Sequence, residues 1–318
     1  MYLVPSGGVA MREREFFLPS SDGKHKLRCM EWIPDETVKA VLQITHGMVE
    51  HIERYREFCV WMAEHGIAVI GHDHLGHGKS VSNQDEFGYF GPRNGITNVV
   101  KDIRRVTVCC KKMYPDKKLI LLGHSMGSFL TRKYMSVYPD GPDGFILMGT
   151  GAPPEALVAA GCVLAGSMRK LKGELYRSGL LYKLSLGSYN AKFEPVKTPY
   201  DWLTRDESLS KDFEEDEYCK FIFSAAAYHD FFRLILDVAK EEKAGHVRTD
   251  APILIISGDN DPVGDNGKGV RKVYERLHMA GVEHLEEVLY EEARHELVHE
   301  INRLEVFADI HEWIMETI

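Results

Sequence analysis

The sequence predicts an α/β fold: a mostly parallel sheet flanked by helices, with a helical cap inserted into it. Three observations lead to it. Six short runs rich in aliphatic residues alternate with segments of helical periodicity, as strands joined by crossover helices do. The alternation stops near residue 150 and resumes near residue 250, and residues 151–248 carry helical patterning with no buried-strand run. Finally, LILLGHSMGSFL (119–130) passes from four aliphatic residues into a helical pattern through a serine bracketed by glycines, the behaviour of a buried strand turning sharply into a helix. Residues 1–150 and 249–318 together have the length of one domain of this class, and 151–248 read as the inserted cap.

In chain order, EREFFLPS and KLRCMEW with Ser21-Asp22-Gly23 between them predict an antiparallel hairpin joined to the sheet edge. The strands follow as AVLQIT (40–45), IAVIGHD (67–73), KLILLG (118–123), GFILMG (144–149), PILIISG (252–258) and LEEVLYE (285–291). Helical spacing predicts helices over Ile52 to His65, Asn98 to Tyr114, Met126 to Tyr138, Gly267 to Ala280 and Leu297 to Thr317.

With 44% hydrophobic and 27% charged residues among 318, the chain has the material for a large core, which excludes a disordered or fibrous protein. A net charge of −9 argues against a nucleic-acid partner, because phosphate binding depends on a basic surface. MYLVPSGGVAMREREF lacks an apolar core behind a basic start, and the longest small or apolar run, Ala156 to Gly166, is too short to span a bilayer. A cytoplasmic location is expected. Six cysteines show no CxxC pair, so they are expected to be reduced.

Ser125, with Gly123 and Gly127 two residues to either side, forms the GxSxG pattern of a nucleophile elbow; the plainer reading is a glycine-rich turn. A serine hydroxyl needs a base within hydrogen-bond reach, and the base needs a group to fix its tautomer. In this kind of fold both lie beyond the carboxyl ends of strands, with the acid ahead of the histidine in the chain. PILIISGDNDPVG offers Asp259, Asp261 and Asp265, and LYEEARHELVHE offers His295 and His299. Asp261 is favoured because Pro262 stiffens the loop after it, with Asp259 as the alternative. His295 is favoured because it precedes the last helical run, whereas His299 falls one turn inside it. An oxyanion would be met by the Met126 N–H, next to Ser125, and by the Met48 N–H, since LQITHGMVEH places His46-Gly47-Met48 directly after a strand.

THGMVEHIERY, GHDHLGHGKS, GHSMGS, SGDNDPVG and ARHE, in this order, resemble the monoacylglycerol lipase and lysophospholipase branch of the α/β-hydrolases. Within the cap, TPYDWLTRDE followed by DEYCKFIFS is similar to a segment of many bacterial lysophospholipase-like members. The resemblance implies Ser125 as nucleophile, Asp261 as acid, His295 as base, Met48 and Met126 N–H as oxyanion hole, and a cap roofing an acyl pocket. It also implies a cofactor-free serine esterase acting on lipid-like monoesters, monoacylglycerols or lysophospholipids, through an acyl-enzyme.

Other readings use the same residues. HDHLGH, with His72, His74 and His77, has the look of a metal site, but its aspartate lies between the first two histidines; the resemblance makes it a structural turn, and no metal is expected. An amidase, peptidase or thioesterase would use the same triad, and a non-hydrolytic member would only bind its ligand. Residues 155–197 hold seven Lys or Arg (169, 170, 172, 177, 183, 192, 197) against three acids (155, 174, 194). Interleaved with Leu157, Val158, Val163, Leu164, Leu171, Leu175, Leu180 and Leu181, they predict either a basic, apolar face for anionic lipid or a solvated cap whose leucines turn inward.

Overall fold

Every residue of five consecutive aliphatic runs is buried, and these runs form the middle of one eight-stranded sheet in a computed structural model that describes residues 11–318. Residues 1–10 of the N-terminal stretch considered above for a leader lie outside the described residues. The strands are β1 (Met11–Pro19), β2 (Lys26–Pro34), β3 (Ala40–Thr45), β4 (Ile67–His72), β5 (Leu119–His124), β6 (Gly144–Met148), β7 (Ile253–Gly258) and β8 (Leu285–Tyr290). Their order is β1-β2-β4-β3-β5-β6-β7-β8. The β1–β2 hairpin joins β4 antiparallel, with Cys29 opposite His72, and every other pairing is parallel. This is the α/β-hydrolase fold.

Burial on both faces explains why the central strands read as unbroken apolar runs. On β5, Leu119 and Leu121 enter one core while Ile120 and Leu122 enter the other. Along one face lie α2 (Gly95–Met113), α3 (Met126–Val137) and α8 (Lys268–Met279); along the other lie α1 (Arg56–Glu64) and α9 (Arg303–Thr317). On α2, Val99, Ile103, Val106 and Cys110 are buried at spacings of four, three and four, a single helical stripe. At the sheet edge β8 is only partly covered: Glu286, Val288 and Leu289 are exposed, while the Glu287 carboxylate is nearly buried and pairs with Arg271 at 2.8 Å.

Between β6 and β7 the chain forms an insertion of four helices, α4 (Glu155–Lys172), α5 (Gly179–Ser185), α6 (Glu207–Glu215) and α7 (Ala225–Lys243). Ser178, Asp206 and Ser224 cap three of them through side-chain oxygens that accept from Leu181, Ser208 and Ala227 N–H. Arg132 of α3 fastens both ends of the insertion. Its guanidinium meets Glu242 on α7 at 2.7 and 2.8 Å and donates to Thr150 Oγ1 and Gly151 O at 3.2 and 2.9 Å, with both Arg132 and Glu242 buried. Among the described residues no helix is long and apolar enough to cross a membrane.

One expected helix is broken. The run Leu297 to Thr317 divides into a 3₁₀ turn, Leu297–His299, and α9, which begins at Arg303. Glu300 causes the break: its fully buried carboxylate accepts N–H groups from Arg294, Arg205 and Ile301 and pairs with the Arg205 side chain, holding the backbone extended. His299 therefore sits on the turn ahead of α9, not one turn inside it.

The parallel register decides what meets at the carboxyl end of the sheet. Thr45 is opposite Gly123, His124 is opposite Met148, and Gly258 is opposite Tyr290, so the loops after β3, β5, β7 and β8 emerge side by side.

Candidate active site

β5 ends at His124 and α3 begins at Met126, so Ser125 alone makes the corner. Its backbone adopts φ 53° and ψ −119°, a positive-φ conformation that costs a residue bearing a Cβ about 1–3 kcal/mol. Hydrogen bonds from Ser125 N to Met148 O (2.9 Å) and from Ser128 N and Oγ to Ser125 O (2.9 and 2.7 Å) hold it there. The two glycines meet a separate requirement, close approach. A Cβ on Gly123 would lie 2.3 Å from Thr131 Oγ1, and one on Gly127 would lie 2.0 Å from Thr45 O. They allow α3 to press against the ends of β3 and β5 while Ser125 itself takes the strained turn.

Of the three acids after β7, Asp261 is the one that reaches a histidine. Its Oδ2 stands 2.9 Å from His295 Nδ1 and also accepts from Ser257 Oγ at 3.1 Å, while Oδ1 accepts from Val263 N at 2.8 Å. Both residues are buried. Asp259 Oδ1 is buried without a partner, and Asp265 takes a positive φ in the turn toward α8. With Nδ1 given to Asp261, the ring keeps Nε2 for proton transfer. The imidazole lies between Trp202 from the insertion and His124, with ring centroids 5.0 and 4.9 Å away. Gly149, at φ 60°, would place a Cβ 3.0 Å from His295 Cε1, so a side chain there would push the ring aside.

The loop after β3 is oriented by a histidine. His46 Nε2 accepts the backbone N–H of His74 at 3.0 Å, so its proton is on Nδ1, which donates to Gly47 O at 2.8 Å. Among the described residues the one cis peptide bond is Glu194–Pro195, so the Gly47–Met48 peptide is trans and its N–H points opposite its carbonyl. His46 thus fixes the Gly47 carbonyl, and Met48, the next residue, lines the cavity together with Ser125, Met126 and His295. Met126 is the first residue of α3, where a helix leaves its N–H without an intrahelical acceptor.

Behind this loop lies a buried ionic network that the motifs contain but their spacing does not reveal. Glu50 Oε1 accepts from Gly47 N at 2.5 Å and from Tyr55 Oη at 2.9 Å, and stands 3.1 Å from His124 Nδ1. Arg54 bridges Glu50 (2.8 Å) and Glu296 (2.7 and 2.6 Å), and Glu296 also meets His299 Nδ1 at 2.8 Å. Burial works to raise the Glu50 carboxyl, but His124 and Arg54 overcome it and bring the group down to about 2. Burial likewise opposes charge on His124, and the Glu50 partner raises it nonetheless. Glu296, held by Arg54 and His299 against its burial, lies well below the usual carboxylate range.

His72, His74 and His77 gather with His46 on the far side of the same loop, all fully or almost fully buried. Burial lowers His46 and His74 well below the ordinary histidine range and brings His72 and His77 to about 3 and about 4. Asp73 does not face into this group of rings: its two oxygens accept from Ile52 N (2.9 Å) and Lys79 N (2.8 Å), tying the turn to the start of the helical segment before α1.

The cavity at Ser125 has a volume of about 130 Å³. Its polar lining comprises Glu50, His124 and Glu296 with Ser125 and His295, three tyrosines (Tyr182, Tyr189 and Tyr200) add hydroxyls, and the rest is apolar, including Phe129, Phe213 and Trp202. Met48, Tyr189, Phe231 and Ile235 also line a second cavity, of about 680 Å³, that runs beneath α4, α5 and α7 past Leu157, Leu164 and Leu181 to Lys268 and Lys272. The two cavities share these residues, so the site at Ser125 adjoins a larger space beneath the insertion.

Along most of its length the chain is similar to known proteins. The family model described as serine aminopeptidase, S33, matches residues 36–302. A monoglyceride lipase homolog from Monkeypox virus is 27% identical, with 91% of this chain and 94% of that protein covered. The monoglyceride lipase of Rattus norvegicus is 26% identical over 95% of this chain and 90% of its own. Among solved structures, a highly thermostable carboxyl esterase from Bacillus coagulans, in complex with glycerol, superposes with a TM-score of 0.88 at 26% identity, covering 96% of this chain and 98% of the other.

Proposed function

Because this chain belongs to the serine aminopeptidase S33 family of α/β-hydrolases and is an ester hydrolase, we propose that it cleaves lipid-like monoesters such as monoacylglycerols or lysophospholipids through an acyl-enzyme on Ser125. Ser125 Oγ attacks the ester carbonyl while His295 Nε2 takes its proton; the Met48 and Met126 N–H groups receive the oxyanion; His295 then protonates the departing alcohol, and water repeats the sequence to release the acid. Asp261 remains charged and holds the His295 tautomer. The hydrolysis needs no metal or cofactor. The insertion, residues 151–248, serves as a cap over the acyl chain. The observation that carries this reading is the cavity itself, polar beside Glu50 and apolar beneath α4, α5 and α7.

The test is intact mass after incubation with a fluorophosphonate, on the native chain and Ser125→Ala, together with hydrolysis of p-nitrophenyl esters of increasing acyl length. One adduct, absent from the variant, and turnover rising toward medium or long chains are expected. Folded protein that gives neither adduct nor turnover would favour the non-hydrolytic reading. The family's description brings forward the aminopeptidase reading, which asks for a free carboxylate to hold an α-ammonium group. Glu50 and Glu296 both face the cavity but are already bound to Arg54. Esters are therefore expected to be cleaved far faster than aminoacyl anilides of matched size.

His46 supplies a narrower prediction. Losing one oxyanion donor costs about 10²–10³ in kcat. His46→Ala, which frees the Gly47 carbonyl to rotate, is expected to lower kcat toward the smaller of these factors while leaving KM within a few-fold. A loss confined to KM would mean that the loop shapes binding and not the oxyanion site.

The insertion's leucines divide between the two expected faces. Val158 and Leu181 are buried, and Leu164 packs against the core. Leu157, Val163, Leu171, Leu180 and Leu184 are 68, 71, 81, 51 and 64% exposed, beside Lys170, Lys172 and Lys183. This supports peripheral contact of the cap with anionic lipid. Flotation with phosphatidylglycerol vesicles should carry the protein at low salt and lose it when Leu171 and Leu180 become Glu; no flotation at any salt concentration removes the idea. All six cysteines are free thiols, which supports a reducing compartment and hence the cytoplasm.

A further inference from the structure

His51 follows Glu50 on the loop after β3, at the border between the sheet and the cap. Its Nε2 stands 2.8 Å from Asp216 Oδ2, and Asp216 opens the 3₁₀ turn Glu217–Cys219 in the cap. The spacing of three residues on that turn brings Cys219 to the side of Asp216, and ligand atoms of His51, Asp216 and Cys219 all lie within 4.8 Å of one another. Cys219 is buried and His51 nearly so, whereas the Asp216 side chain is 25% exposed and leaves a route from solvent. Arg54, the cation that acts on Cys219, is already neutralised by Glu50 and Glu296, and these acids with Asp216 leave the surroundings negative.

We propose that His51, Asp216 and Cys219 form a binding site for a borderline-soft divalent cation, Zn²⁺ foremost, that bolts the cap to the oxyanion loop. One imidazole nitrogen, one carboxylate oxygen and one thiolate are a ligand set chosen by Zn²⁺ over Mg²⁺ or Ca²⁺, with a water completing the tetrahedron. Zinc bonds of about 2.0–2.3 Å require the three ligand atoms to stand roughly 3.3–3.8 Å apart, so the His51–Asp216 hydrogen bond opens and Cys219 draws in. Binding replaces the thiol proton by a sulfur–metal bond and releases that proton to solvent, with no change of oxidation state. Without the ion, the His51–Asp216 hydrogen bond, the His51–Tyr218 ring contact and the Arg54 guanidinium over Phe213 join the two parts. With it, the cap segment carrying Asp216 and Cys219 is tied to the residue that follows Glu50, so the ion is expected to slow ester turnover while raising thermal stability.

The experiment titrates the chelator-treated full chain with Zn²⁺ by calorimetry and with Co²⁺ by absorption, where thiolate ligation gives a near-ultraviolet charge-transfer band. One equivalent of Zn²⁺ and that band are expected, the band disappearing in Cys219→Ser and Zn²⁺ affinity falling about 10–100-fold in Asp216→Asn. Circular dichroism of both variants checks that they fold, and the Asp216→Asn titration keeps the proposal testable if Cys219→Ser does not. Absence of Zn²⁺ binding at stoichiometric protein concentration overturns the proposal. So does a cobalt band that persists without Cys219, or zinc inhibition of ester hydrolysis equal in the native chain and both variants, which would put the ion on His295.

Discussion

Ser125→Ala and His295→Ala are each expected to lower kcat by about 10⁶, and the double variant to be hardly worse than either alone. The reason is that a nucleophile without its base, or a base without its nucleophile, performs no part of acyl transfer, so the second deletion removes nothing that still works. What should survive is the smaller acceleration due to binding and to the two N–H donors. Additive losses would overturn the mechanism. Asp261→Ala is expected to cost less, since it removes the hydrogen bond to His295 Nδ1 and leaves the nucleophile and base in place. Asp259→Ala should be tolerated, because Asp259 has no bond to the histidine. Were the two aspartate variants to behave the other way round, the acid would be misassigned.

Acid is expected to unfold the protein well above the carboxylate range. His46, His72, His74 and His77 are held uncharged by burial, with folded values below the ordinary 6.5. Below pH 6.5 the unfolded chain binds protons at these four positions and the folded chain does not, so stability falls as pH falls. At about 1.4 kcal/mol per pH unit per histidine, lowering the pH from 6.5 to 5 removes on the order of 2 kcal/mol for each, about 8 kcal/mol as a ceiling for the four. Total stabilities are only about 5–15 kcal/mol. His124 works in the opposite direction, because its raised value contributes stability below pH 6.5 that is lost as pH rises through it. The depressed Glu50 and Glu296 contribute stability above pH 4.5 that is lost only on further acidification, so they do not offset the histidines between pH 6.5 and 5. Guanidinium unfolding at pH 7 and pH 5 measures the difference. A change under 1 kcal/mol would mean that the buried rings gain protons in the native state.

The sheet was legible because β3 to β7 are buried on both faces, which leaves an unmistakable run of aliphatic residues at each. The corner at Ser125 was legible because close approach demands glycine at both 123 and 127. Local spacing does not show which side chains meet in space. Glu50, Arg54, His124 and Glu296 all lie inside motifs that the sequence singles out, yet His124 is 74 residues from Glu50 and Glu296 is 242 from Arg54, so no local spacing pairs them. The break before α9 was hidden for the same reason, since Glu300 stops the helix by capturing donors from Arg294 and Arg205 rather than by being a poor helix former.

The Arg132 guanidinium restricts how the roof of the site can move. A flap usually swings about its two points of attachment, but here one side chain grips the departing strand end at Thr150 and Gly151 and the returning helix at Glu242. The insertion is therefore an arch with both feet clamped, and rotation of the whole arch would have to break a buried bidentate pair. Between the feet the insertion is tied down a third time: Arg294 donates to Asp201 O and Thr204 O, Glu296 N–H donates to Leu203 O, and the Arg205 side chain pairs with Glu300, which fixes Trp202 beside His295. The clamp at Glu242 therefore also holds α7, the helix that carries Phe231 and Ile235 to both cavities.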